Sequence, residues 1–143
     1  MNREKLRILL PVISLAVLMS AVFYLQPRAM SYNGLNLLLN LAVPVALATI
    51  AQMMIVMVND IDLSIGTFVS FCACVTATFV HDAPILGFTI LAGSILVYVL
   101  LGIVIHVRGL PAIVVTLGMS FVWSGVAVMT LPSPGGNAPE WLK

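Results

Sequence analysis

The sequence predicts an all-α, polytopic integral membrane protein: one membrane domain over residues 1–143, with about five transmembrane helices and a cytoplasmic N-terminus. Three observations predict it. Hydrophobic residues make up 62% of the chain and charged residues 8%, against about 45–50% and ~25% in soluble domains. So little charge cannot cover a water-facing surface. The apolar residues fall into long runs, each near the ~20 residues that cross hydrocarbon. Short breaks rich in Pro, Gly, Asn and Asp separate the runs, and the period-2 alternation of a membrane β-barrel is absent.

The runs cover residues 8–25, 35–58, 63–80, 85–107 and 112–131. The first follows the basic start Arg3-Glu4-Lys5-Leu6-Arg7. It is longer than the ~7–15 residues of a signal-peptide core and shows no convincing small-x-small cleavage site, so a retained first helix is expected. The second run places Asn36, Asn40, Pro44, Ala48 and Gln52 four residues apart, which forms one slowly winding polar or small stripe on a helix. Pro44 frees the carbonyl of Asn40 and should kink the helix. The stripe reads as helix–helix glue or as a face lining a pathway. In the third run Gly66, Ser70, Ala73, Cys74 and Ala77 form a small-residue face suited to close packing. The fourth offers Gly87, Gly93, Ser94 and Gly102, read as packing positions. The fifth carries Thr116, Ser120 and Ser124 at four-residue spacing, hydroxyls that bond back to their own backbone or meet a solute. The Pro- and Gly-rich tail over 132–139 is not helical.

Basic residues set the orientation. With the N-terminus inside, Arg3, Lys5, Arg7 and Arg108 fall on the cytoplasmic side, and Arg28 and Lys143 outside. Several chemistries are excluded. A phosphate-binding G-x-x-x-x-G-K-[ST] loop, an H-E-x-x-H helix and a nucleophile elbow are all missing, so the chain reads as no enzyme, with no catalytic residue and no cofactor. His81 and His106 fall at opposite membrane faces, which disfavours a shared metal site. Cys72 and Cys74 point to different sides of a helix and read as free thiols. The net charge of +1 gives no basis for nucleic-acid binding.

One polar stretch interrupts this pattern: Val58-Asn59-Asp60-Ile61-Asp62-Leu63-Ser64-Ile65-Gly66. It holds two of the five acidic residues. A carboxylate in a bilayer is costly, by ~2.5–3.5 kcal/mol at the centre of a helix. Asp62 before a helix reads as a cap on free amide donors. The alternative is a broken-helix element buried in protein or lining a cavity.

At these residues the sequence resembles a known family. Ile61-Asp62-Leu63-Ser64-Ile65-Gly66 is similar to the Gly-Gly-Ile-Asp-Leu-Ser-Val-Gly signature of the permease subunits of ribose-type ABC importers, which take up monosaccharides such as ribose, xylose, arabinose and galactose. Downstream, Leu110-Pro111-Ala112-Ile113-Val114-Val115-Thr116-Leu117-Gly118-Met119 resembles the same family's apolar-Pro-x-Phe-Ile-x-Thr-Leu-Gly-Met element. The family positions matched are Ile61, Asp62, Leu63, Ser64, Gly66, Pro111, Thr116, Leu117 and Gly118. Asn59-Asp60 stands where the family usually has Gly-Gly, and Ser124-Gly125 where it has Arg-Gly.

The resemblance implies a membrane-spanning component of an importer for a monosaccharide or similar small polar solute, in a bacterial inner (plasma) membrane. It implies a separate ABC ATPase subunit, a periplasmic sugar-binding protein, a second permease subunit and the lipid bilayer as partners. Family members are roughly twice as long, so the chain is expected to correspond to an N-terminal half. A neutral polyol needs amides, hydroxyls and an occasional carboxylate, which makes Asn36, Asn40, Gln52, Asp62, Ser64 and Thr116 the candidate pathway residues. The competing readings are a small non-transporting membrane protein, an inactive truncated permease, and a fragment of an ion-driven secondary transporter with Asp60 or Asp62 titrating.

Overall fold

The computed structural model describes residues 3–137, Pro139 and Trp141, with side chains from residue 9 onward. The side chains of Arg3, Lys5 and Arg7, and the residues Glu140, Leu142 and Lys143, lie outside this description, so four of the six basic residues behind the orientation do too. The described chain is 82% helix, with no strand among the described residues. Its elements are α1 (Arg3–Leu25), a 3-10 turn (Pro27–Met30), α2 (Tyr32–Val56), α3 (Ile65–Val75), a π-helical turn (Thr76–Val80), α4 (Pro84–Arg108) and α5 (Ala112–Thr130).

Among the described residues three helices are long and apolar enough to cross a membrane: α2, α4 and α5. The 25 residues of α2 and of α4 reach about 37 Å at 1.5 Å per residue, beyond the ~30 Å of a hydrocarbon core. The other two apolar helices are shorter. The apolar part of α1 runs over Leu9–Leu25, and α3 with its π-turn over Ile65–Val80. The third run thus enters its helix at Ile65, two residues later than its hydropathy suggests, because Asp62, Leu63 and Ser64 are taken up in a turn. Pro44 lies inside α2, which continues through it to Val56.

The chain divides into two compact units, Met1–Ala46 and Leu47–Lys143. In the first, the 3-10 turn packs on α1 and sets the start of α2. Ser31 Oγ accepts the Gly34 amide at 3.1 Å, an N-terminal cap, and donates to the Arg28 carbonyl at 2.7 Å. Gly34 permits this fold-back: a Cβ there would lie 2.5 Å from the Arg28 carbonyl oxygen.

The second unit is built on α3 against α5. Its core is Phe71, Val75, Trp123 and Ala127, with Phe68, Tyr98 and Met119 partly buried around it. The π-turn packs on α4, where Gly87 leaves room for Val80, whose Cγ2 would sit 2.7 Å from a Cβ. The non-helical tail returns to the same turn: the Asn137 amide donates to the Ala77 carbonyl at 3.2 Å, and Trp141 stacks on Phe88 with ring centroids 6.4 Å apart. Outside this core apolar side chains face outward along α2, α4 and α5. Water-soluble monomers rarely expose contiguous apolar surface on this scale, and it fits helices whose solvent is lipid.

Candidate functional site at the α2–α3 corner

The site starts from how α2 ends. The Asp60 amide donates to the Ile55 carbonyl at 3.2 Å and the Asn59 amide to the Val56 carbonyl at 3.0 Å. These are the two bonds of a Schellman motif, whose C′ residue takes the left-handed conformation. Asn59 is that residue, with φ of 60°. It is the only non-glycine with positive φ among the described residues, and asparagine is among the side chains that tolerate this region. The motif stops the helix and turns the chain out before α3.

Side chains hold the segment between that turn and α3. Asp62 Oδ1 accepts the Ser64 amide at 2.7 Å, two residues on, an Asx turn. The same oxygen accepts the Ser64 hydroxyl at 2.6 Å. Ser64 has one hydroxyl proton, given to Asp62, so the 2.5 Å contact between Ser64 Oγ and the Tyr98 hydroxyl is a bond in which Tyr98 donates. A directed chain results: Tyr98 to Ser64 to Asp62. From the other side, Thr116 Oγ1 accepts the Leu63 amide at 3.1 Å and donates to the Ala112 carbonyl at 2.8 Å. Ser64 is fully buried, Thr116 is 4% exposed and Asp62 9% exposed. The Ser64 side chain caps no first-turn amide of α3. Asp62 takes the amide of Ser64 itself, the residue from which α3 starts, so it both holds the corner and satisfies one of the free donors at the head of the helix.

Tyr98 is positioned by aromatic packing. Its ring meets Phe68 edge-on at 4.5 Å and stacks on Trp123 at 5.9 Å, and Trp123 in turn lies 5.0 Å from Phe71. Such pairs add ~0.5–1.5 kcal/mol beyond area burial. The hydroxyl is thus delivered to Ser64 from the edge of the hydrophobic core.

The corner opens on a cavity of about 550 Å³, within the ~300–1,000 Å³ of small-molecule sites. All of its walls belong to the second unit. Asp60 and Asp62 line one side, Thr116 and Ala112 the start of α5, and Tyr98, Gly102 and His106 a face of α4. No lysine or arginine lines it. Among the described residues no group of three or more His, Cys, Asp or Glu is placed to hold a metal ion.

Of the six candidate pathway residues, the structure brings together Asp62, Ser64 and Thr116. Gln52, also in the second unit, is half-buried on α2 and outside the cavity lining. Asn36 and Asn40 are exposed on the part of α2 that belongs to the first unit. Among the remaining matched positions, Ile61 lines the cavity, while Leu63, Gly66, Pro111, Leu117 and Gly118 do not. Sequence reasoning missed Tyr98 and His106, and took Gly102 for a packing residue. The signal was present: Tyr98, Gly102 and His106 recur every four residues, the same spacing noticed on the second run.

Comparison with protein-family models, with curated proteins and with solved structures finds no match.

Proposed function

We propose that the chain is a membrane-spanning permease component of an ATP-binding-cassette importer for a monosaccharide or similar small polar solute, and that the α2–α3 corner lines the solute's path. The observation that carries this reading is Asp62. Its carboxylate is nine-tenths buried, has no cationic partner among the described residues, and sits on the wall of a cavity of small-molecule size. Polar groups at membrane depth are costly and generally serve a pathway, and irregular backbone there is tolerated where it lines a cavity. The likeness of the 61–66 and 110–119 stretches to sugar-importer permeases supplies the solute class. In this reading α1 and α3 complete five spans with the N-terminus in the cytoplasm of a bacterial cell. ATP hydrolysis resides in a separate subunit, a periplasmic binding protein delivers the solute, and a second permease subunit completes the pathway.

The test is uptake of radiolabelled ribose, xylose, arabinose and galactose by cells with and without the gene. Uptake of at least one sugar should fall on deletion, return with the intact gene, and require ATP rather than an ion gradient. Uptake unchanged by deletion would sink the proposal. Uptake abolished by ionophores with ATP intact would replace it with the ion-driven reading.

A further inference from the structure

Gly102 lines the cavity from the interior of α4. A helix-interior glycine costs ~0.8–1.0 kcal/mol relative to alanine, and in membrane helices the usual compensation is close packing. Gly87 on the same helix shows that compensation, with Val80 directly against it. Gly102 does not: a Cβ there meets nothing within 4 Å. Gly66, Gly93, Gly118 and Gly125 also face open space, but none of them lines the cavity; Gly109 faces open space and lines it, but its φ of 59° already accounts for a glycine there.

The direction of that space follows from helix geometry. The α4 residues on the cavity wall are Tyr98, Leu101, Gly102, Ile105, His106 and Gly109. At 3.6 residues per turn they occupy one face, and Gly102 falls near its centre, between Tyr98 one turn before and His106 one turn after. A side chain at 102 would therefore enter the cavity opposite Asp60 and Asp62.

We propose that Gly102 is a specificity-determining residue, whose missing side chain sets the size of molecule the cavity admits. The inference rests on the cavity being the solute's path, and it is tested without transport. In a chain with Cys72→Ala and Cys74→Ala, Ile61→Cys places a thiol on the facing wall. Membrane vesicles are treated with methanethiosulfonates of increasing head-group size. The Ile61→Cys thiol should react with small and bulky reagents alike. Adding Gly102→Leu should slow the bulky reagent by about tenfold, equivalent to ~1.4 kcal/mol, while the smallest stays within about twofold; Gly102→Ala should fall between. Gly93→Leu, on the same helix away from the cavity, should change neither rate and controls for damage to folding. Three results would overturn the proposal: no labelling of Ile61→Cys by any water-soluble reagent, equal slowing of all sizes, or the same effect from Gly93→Leu. The size-dependent pattern with no sugar uptake by the unsubstituted protein would instead count against the transport reading alone.

Discussion

The second unit contains two helix-to-helix corners that begin alike and finish differently. At the end of α4, the Leu110 amide donates to the Ile105 carbonyl at 3.1 Å and the Gly109 amide to the His106 carbonyl at 3.4 Å, with Gly109 at φ of 59°. This repeats the Schellman motif that ends α2 at Asn59. The α4–α5 corner then needs only Leu110 and Pro111 before α5 starts at Ala112, and among the described residues no side-chain bond holds it. The α2–α3 corner carries five residues, Asp60 to Ser64, and takes side-chain bonds from Ser64, Tyr98 and Thr116. Backbone geometry alone closes the short corner, whereas the long one exposes amides that only buried polar side chains satisfy. That requirement puts a carboxylate and two hydroxyls beside the cavity, so the corner that is harder to close is the one equipped for chemistry.

The contrast breaks most sharply at Asp62. Asp62→Ala removes the acceptor for both the Ser64 amide and its hydroxyl, in a place with little water to replace it. Loss of hydrogen bonds to a charged acceptor plus two orphaned donors should lower stability by about 3 kcal/mol. Thermal unfolding in lipid nanodiscs measures it; Asp62→Asn, which keeps an oxygen there, should lose less than half as much. A loss under ~1 kcal/mol for the alanine variant would mean the corner closes without its carboxylate. Thr116→Val is next. It keeps the side-chain shape but strands the Leu63 amide, at about 2 kcal/mol. Thr116→Ser should restore most of that, and failure to do so would point to the methyl group rather than the bond.

The helices were legible because apolar runs and their punctuation fix element type, and the Asp62, Ser64 and Thr116 group was legible because polar residues are rare in such a chain. Two things were not. Tyr98 looks like an ordinary aromatic on an apolar helix until Phe68 and Trp123 turn its hydroxyl towards Ser64. Its partner lies 34 positions away, and no local pattern encodes that pairing. The other is what the stripe on α2 meets. Asn36, Asn40 and Gln52 lie on a stripe that winds slowly around one helix, and a regular spacing does not say what lies opposite; Gln52 is outside the cavity lining, and Asn36 and Asn40 belong to the first unit.

The smaller predictions concern the two left-handed residues. Gly109→Ala meets open space, so its cost is conformational alone: about 1 kcal/mol for a Cβ in the left-handed region. Gly109→Asn should cost less, because asparagine is the side chain that most often replaces glycine there, and the α2–α3 corner already uses it.

The smallest effect is expected at Asn59, and it is the most informative about why the corners differ. Asn59→Gly relieves the residual penalty of a side chain at φ of 60° but gives the unfolded chain more freedom, a loss of ~0.4–1 kcal/mol. The two nearly cancel, so stability should move by no more than about 0.5 kcal/mol in either direction. The Asn59 side chain is exposed, so nothing else in the corner should respond. A gain above ~1 kcal/mol would show strain stored in the polar corner and absent from its glycine counterpart. An equal loss would show that the Asn59 amide helps to hold Asp60 and Asp62 in place. A change within the narrow range would confine the difference between the corners to the residues after the turn, where Asp62 meets Ser64.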